Sequence, residues 1–253
     1  MTTGTWHEKA ITNPRSQRLS ALYLRTEPES RGWVVVCHGF TGSKEGGSKA
    51  EAMAEALAAR SGFSFVLFDF AGNGQSEGRF EDLTLTHQVQ DLDAVIDWCQ
   101  QQEQGPVVTM GRSFGGSTVL AQAAQDRRVH AVCTWAAPIH LKNLFSEVLL
   151  SETEDDRVIL ADENGTVSLK KNFVRDLARH DLLQAAAGLA PRPLLIIHGQ
   201  NDDVVPVSEA EELYTAAAEP KDLHIIPQAD HQFSFTAEPA WEIVGNWLNT
   251  LNI

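Results

Sequence analysis

Val107-Val108-Thr109-Met110-Gly111-Arg112-Ser113-Phe114-Gly115-Gly116 is the stretch that decides how this chain is read. Strand-forming residues run into a G-x-S-x-G turn, and Ser117-Thr118-Val119-Leu120-Ala121-Gln122-Ala123-Ala124 then reads as a helix. A serine on a sharp strand-to-helix turn presents its hydroxyl while its backbone sits in strained dihedrals. Glycine is required at 111 and 115 because a Cβ at either place would collide with the neighbouring strand or helix. The turn also sets Ser113 at the positive end of the helix, where developing negative charge is stabilised. Ser113 is the candidate nucleophile.

A nucleophilic serine needs a base and a group that orients the base. Open α/β sheets collect such groups at the carboxyl ends of their strands. Pro193-Leu194-Leu195-Ile196-Ile197-His198-Gly199 reads as a buried strand that ends in Gln200-Asn201-Asp202-Asp203-Val204-Val205-Pro206. The next strand-like run, Leu223-His224-Ile225-Ile226-Pro227, leads into Gln228-Ala229-Asp230-His231-Gln232-Phe233. The chain order is Ser113, Asp202, His231. His224 lies inside the strand pattern and His198 at a strand end, so both read as structural. Asp203 rivals Asp202 by a single position. Asp230 reads as a loop-capping residue, since a side chain rarely reaches the ring nitrogen of its immediate neighbour.

These motifs resemble the serine α/β-hydrolases over nearly the whole chain. The resemblance includes His38-Gly39-Phe40-Thr41-Gly42 and Asp69-Phe70-Ala71-Gly72-Asn73-Gly74-Gln75-Ser76-Glu77-Gly78, each after a hydrophobic strand. It continues through the Ser113 turn, His198-Gly199-x-x-Asp202-x-x-Val205-Pro206 and Ala229-Asp230-His231-x-Phe233. Within that superfamily the first two motifs are similar to bacterial feruloyl/cinnamoyl-type carboxylesterases. Arg112 stands before the serine where His or another polar residue is usual. The strand-His-Gly-x-x-Asp spacing of the family lands on Asp202. The resemblance implies an oxyanion hole formed by the backbone N–H groups of Phe40 and Phe114. It also implies an α/β-hydrolase fold: an eight-stranded, mostly parallel sheet with helices on both faces and a small lid after the sixth strand.

Strands are expected at about 6–12, 18–25, 33–38, 63–69, 107–111, 131–135, 193–198 and 222–227. The first two alternate polar and apolar, as antiparallel edge strands do. Those from Trp33 onward are near-continuous Val, Ile, Leu and Phe runs suited to burial on both faces. Leu85, Val89, Leu92, Ile96 and Cys99 keep the spacing of a buried helical stripe over about 85–100, and Trp241, Val244, Leu248 and Leu251 repeat it near the end. Residues 138–191 are too many for a plain crossover. This segment is expected to be a lid on a core made of residues 1–137 and 192–253. Inside it, Val158–Ala161 and Thr166–Leu169 flank Asp162-Glu163-Asn164-Gly165, a hairpin signal. The acidic group Glu147, Glu152, Glu154, Asp155 and Asp156 reads as a solvated face.

With 253 residues, 43% of them hydrophobic and 21% charged, the chain can bury a full core. The net charge of −14 argues against nucleic acid or an anionic membrane as partner. Neither a signal peptide nor a membrane span is visible in the sequence. Cys37, Cys99 and Cys133 have no metal spacing and read as reduced core residues of a cytoplasmic protein. Gly72–Gly78 lacks both the glycine spacing and the lysine of a phosphate loop. No metal and no cofactor is expected.

The expected reaction is hydrolysis of a small-molecule ester with a small to medium apolar or aromatic acyl group. Trp135, Phe145, Phe173 and Phe233 are candidate pocket residues. A thioesterase, an aminopeptidase-like amidase and, from another class, a non-catalytic ligand-binding protein on the same fold are the alternatives. Dehalogenases are disfavoured because they carry Asp where Ser113 stands. Self-association into a homodimer stays open.

Overall fold

The computed structural model describes residues 4–27, 29–162, 165–235 and 237–252. The chain opens with an antiparallel hairpin, β1 (Trp6–Thr12) and β2 (Arg18–Leu24). Strand and helix then alternate: β3 (Trp33–Cys37), α1 (Ala50–Ser61), β4 (Ser64–Phe68), α2 (Leu85–Gln102), β5 (Val107–Arg112), α3 (Phe114–Gln125) and β6 (Val129–Trp135). An insertion follows, with α4 (Leu141–Glu147), β7 (Leu149–Glu152), β8 (Arg157–Asp162), β9 (Gly165–Lys170), α5 (Asn172–Leu177) and α6 (Leu182–Ala187). The alternation resumes with β10 (Leu194–Gly199), α7 (Val207–Ala216), β11 (Lys221–Ile226) and α8 (Ala237–Thr250).

The main sheet has eight strands in the order β1-β2-β4-β3-β5-β6-β10-β11. β1–β2 and β2–β4 pair antiparallel, and every later pairing is parallel. All eight expected strands are present, each within two residues of its expected limits. β4 and β10 are buried along their whole length, as strands covered on both faces must be. The exposed edges are β1, which is mostly polar outside, and β11, which leaves His224 to solvent. α2 starts where Thr84 accepts a hydrogen bond from the His87 N–H at 3.0 Å. Its expected stripe is buried, and α8 buries Val244, Trp247 and Leu248.

The core has two halves, one on each face of the sheet. Leu92, Val119, Leu120 and Leu213 pack on one face, and Met53, Leu57, Val244 and Leu248 of α1 and α8 pack on the other. The three cysteines are buried and unpaired. No helix among the described residues is long and apolar enough to cross a membrane.

The insertion is richer than a hairpin with helices. β7, β8 and β9 form a separate antiparallel sheet, in which β7 is an extra strand. Of the expected Asp162–Gly165 turn, Glu163 and Asn164 lie outside the described residues. α6 packs on α3 and α7, so the end of the 138–191 segment joins the helical layer of the core. Three of the five acidic residues pair with cations: Glu152 with Lys171, Asp155 with Arg157 and Asp156 with Arg175. No His/Cys/Asp/Glu group among the described residues could hold a metal ion.

Candidate active site

β5 ends at Arg112, and the chain turns within Ser113 to start α3. Ser113 has φ 52° and ψ −126°, a left-handed conformation that a non-glycine residue adopts only under constraint. The constraint is visible. Its N–H donates to Trp135 O on β6 at 2.8 Å, and its carbonyl accepts from the Gly116 N–H at 2.7 Å. A Cβ on Gly111 would stand 2.1 Å from Gly115 O. A Cβ on Gly115 would stand 2.4 Å from His38 O. The motif's glycines therefore let strand, turn and helix touch.

Ser113 Oγ lies 3.0 Å from His231 Nε2, and His231 Nδ1 lies 2.8 Å from Asp202 Oδ2. With Nδ1–H donating to the carboxylate, Nε2 is left as the acceptor for the serine proton. Three residues separated by 118 and 29 positions meet because β5, β10 and β11 end on the same edge of the sheet. Asp203 is exposed, so the offset between the two aspartates resolves in favour of Asp202. Asp230 accepts from Ser234 N at 2.9 Å and Ser234 Oγ at 2.7 Å, the loop-capping work expected of it.

The Asp202 side chain is completely buried. Burial alone would push its carboxyl up, but hydrogen bonds from His198 and His231 and the attraction of His231 outweigh it. The backbone N–H groups of Val204 and Val205 add two more bonds to Oδ1, at 3.0 and 2.8 Å. The result is a carboxyl held well below the usual carboxylate range. It stays ionised and keeps the imidazole oriented.

Two neighbours escape sequence reasoning. His198 donates through Nε2 to Val205 O at 2.9 Å and lies 3.3 Å from Asp202 Oδ2, a second histidine on the same carboxylate. Arg112 Nη2 donates to His231 O at 3.0 Å and to Gln232 Oε1 at 2.5 Å. The residue before the serine thus grips the loop that carries the histidine. The Arg112 contact has no signal in spacing, since its side chain crosses between strand ends, whereas the His198 contact is local, within the His198-Gly199-x-x-Asp202 spacing.

The amides of Phe40 and Phe114 are the expected oxyanion donors. Neither donates to an acceptor among the described residues, and both residues line the cavity beside Ser113. The Phe40 loop is held from several sides. Phe70 N–H donates to His38 Nε2 at 3.1 Å, His38 Nδ1 donates to Gly39 O at 2.8 Å, and Asn73 Nδ2 donates to Gly42 O at 3.2 Å. Burial pushes the His38 imidazole pKa down, so the ring is neutral.

The cavity at Ser113 encloses about 840 Å³. Trp135, Phe145 and Phe233 are on its wall, as expected. Phe173 is not. It is fully buried behind the wall, with its ring 4.7 Å from Phe145 and 5.8 Å from Phe40. The structure does not bring Phe173, a candidate pocket residue, to this cavity, because its ring faces those of Phe40, Phe114 and Phe145. The only carboxylate on the wall among the described residues is Asp162, which accepts from Thr41 Oγ1 at 3.2 Å.

Known proteins with this architecture include an esterase domain from Rhodothermus marinus, 27% identical, with a TM-score of 0.77 over 97% of this chain and 98% of that one. Est1E from Butyrivibrio proteoclasticus, solved with ferulic acid bound, superposes with a TM-score of 0.84 at 24% identity over 95% of this chain and 97% of that chain. The rat palmitoyl-protein thioesterase ABHD10, a mitochondrial protein, is 24% identical over 234 residues, 88% of this chain and 76% of that protein. The uncharacterized protein YfhR of Escherichia coli O157:H7 is 29% identical over 182 residues, which are 69% of this chain and 55% of YfhR. The chain thus spans little more than half the length of that relative. The family described as X-Pro dipeptidyl-peptidase (S15 family) matches residues 17–152, a stretch that includes Ser113 and stops before Asp202 and His231. A match over more than half of the chain, joined to this fold, shows that the protein belongs to the S15 family.

Proposed function

We propose that the protein hydrolyses carboxylic esters of small to medium apolar or aromatic acids, with Ser113 as nucleophile. The observation that carries this reading is the Asp202–His231–Ser113 hydrogen-bond chain opening onto an aromatic-walled cavity of about 840 Å³. His231 takes the Ser113 proton as Oγ attacks the ester carbonyl. The carbonyl oxygen becomes an oxyanion facing the Phe40 and Phe114 amides. Collapse expels the alcohol with a proton from His231 and leaves an acyl-enzyme, which water cleaves by the same steps in reverse order. Segment 138–191 acts as a lid, since Phe145, Val148 and Ala161 within it line the cavity beside Ser113.

A panel of p-nitrophenyl and hydroxycinnamate esters tests the reading. Turnover that disappears in Ser113→Ala is expected. Absence of turnover on every ester, with turnover of acyl thioesters instead, would move the assignment to the thioesterase reading that the ABHD10 similarity favours. A peptidase specific for free N-termini is less well served. It needs a carboxylate for the ammonium group, and Asp162 is already engaged by Thr41.

A further inference from the structure

The cavity passes through the carboxyl edge of the sheet and has an arm on each face. Residues of both core halves are on its wall: Phe114 and Phe145 from the half under α2 and α3, and Met53 and Trp135 from the half under α1 and α8. One arm is walled by Phe40, Phe114, Leu144, Phe145 and Val148, on the insertion side. The other is walled by Met53 of α1, Leu67, Met110, Trp135 and Trp241 of α8. Ser113 stands between them.

The position of His231 decides which arm takes which half of an ester. The base delivers its proton to the leaving oxygen, so the alcohol portion departs on the His231 side. Gln232, Phe233 and Ser234, which follow His231 directly, and Ala237 and Trp241 of α8 line the α1/α8 arm. The acyl portion is then left with the insertion-side arm.

The geometry points to the α1/α8 arm as a leaving-group subsite for an apolar alcohol. This assignment rests on the ester-hydrolase reading. Its reaction step is ordinary: the carbonyl carbon–oxygen bond breaks, its electron pair stays on the alcohol oxygen, and that oxygen takes the proton from His231 Nε2. Methionine suits the subsite because its flexible thioether adapts to varied shapes. The natural substrate is accordingly an ester with apolar bulk on both sides of the carbonyl.

The test measures kcat/KM on two series, acetates of alcohols of growing apolar size and ethyl esters of acids of growing apolar size. Comparison of variant with wild type on the same ester cancels the intrinsic reactivity of each alcohol. Met53→Trp, which fills the arm, is expected to lower activity on bulky-alcohol acetates about tenfold more than on ethyl acetate while keeping the ranking among acids. Met53→Ala, which enlarges the arm, is expected to shift preference toward bulkier alcohols, so the assignment stays testable if the tryptophan variant does not fold. A change of ranking among acids instead of alcohols in both Met53 variants would overturn the assignment, as would no change in either series. No ester turnover by the wild-type protein would defeat the ester-hydrolase reading itself, which is a separate result.

Discussion

A Cβ on Gly115 would meet Cys37 O at 2.5 Å, whereas a Cβ on Gly165, at the start of β9, would meet nothing within 4 Å among the described residues. The first glycine sits at the sheet edge that carries Ser113, and the second sits on the outer part of the insertion. At the sheet edge, backbone of neighbouring strands fixes the turn: Ser113 N–H donates to Trp135 O of β6, and Gly115 abuts Cys37 O of β3. In the insertion, α4, α5, β8 and β9 each bury apolar residues, and β7 buries none. Phe145 and Phe173 pack edge-on at 4.7 Å and anchor α4 and α5 to the rings of Phe40 and Phe114. Arg157 pairs with Glu81 at 2.5 Å and Lys170 with Asp82, while β7 has no buried residue. Rigid chemistry and adjustable selectivity can therefore occupy one cavity.

The largest expected effect is at the rigid side. Ser113→Ala is expected to lower ester hydrolysis by on the order of 10⁴-fold or more, with an unchanged thermal unfolding midpoint, as measured by steady-state kinetics and calorimetry. Asp202→Asn should cost about 10³- to 10⁴-fold in kcat, because the imidazole loses its orienting charge. Asp203→Asn should stay within a few-fold of wild type, and a reversal of these two losses would break the account of the acid.

On the insertion side, two adjacent phenylalanines should behave differently. Phe145→Ala changes the cavity wall, so the order of preference among acyl groups should change. Phe173→Ala removes the support behind that wall, at a cost of about 3–5 kcal/mol in stability, and should lower all esters together. Identical profiles for the two variants would contradict the division into wall and support.

The smallest effect concerns pH. Burial lowers the folded-state pKa of His38 below the ordinary value of 6.5. Its contribution to stability is complete above that value and is lost as the pH falls, because the unfolded chain binds the proton more readily. Asp202, held low, adds its part above the ordinary carboxylate range and loses it only in more acidic solution. Denaturant unfolding between pH 8 and pH 5 should show a slope that His38→Gln flattens, and an equal slope in that variant would remove His38 as its source.

The two regions also differ in how much of them can be read from residues alone. Ser113, Asp202 and His231 are legible because motif spacing reflects local geometry: a strand end, a tight turn, a helix start. The sheet strands are legible because burial on both faces demands unbroken Val, Ile, Leu and Phe. β7 leaves no such trace, since Leu149-Leu150-Ser151-Glu152 has neither alternation nor a buried residue, and its strand form comes from pairing with β8. Phe173 looks like a pocket residue until α5 is docked. The grip of Arg112 on His231 O is likewise a product of tertiary packing.

The central claim is that Ser113, activated through His231, is the atom that attacks. The most direct measurement is labelling with a fluorophosphonate, followed by peptide mass mapping, in wild type and in His231→Ala. The account predicts one adduct, on Ser113, in the wild-type protein and strongly slowed labelling of the same residue in the variant. An adduct on another residue, or labelling of Ser113 that proceeds equally fast without His231, would contradict it.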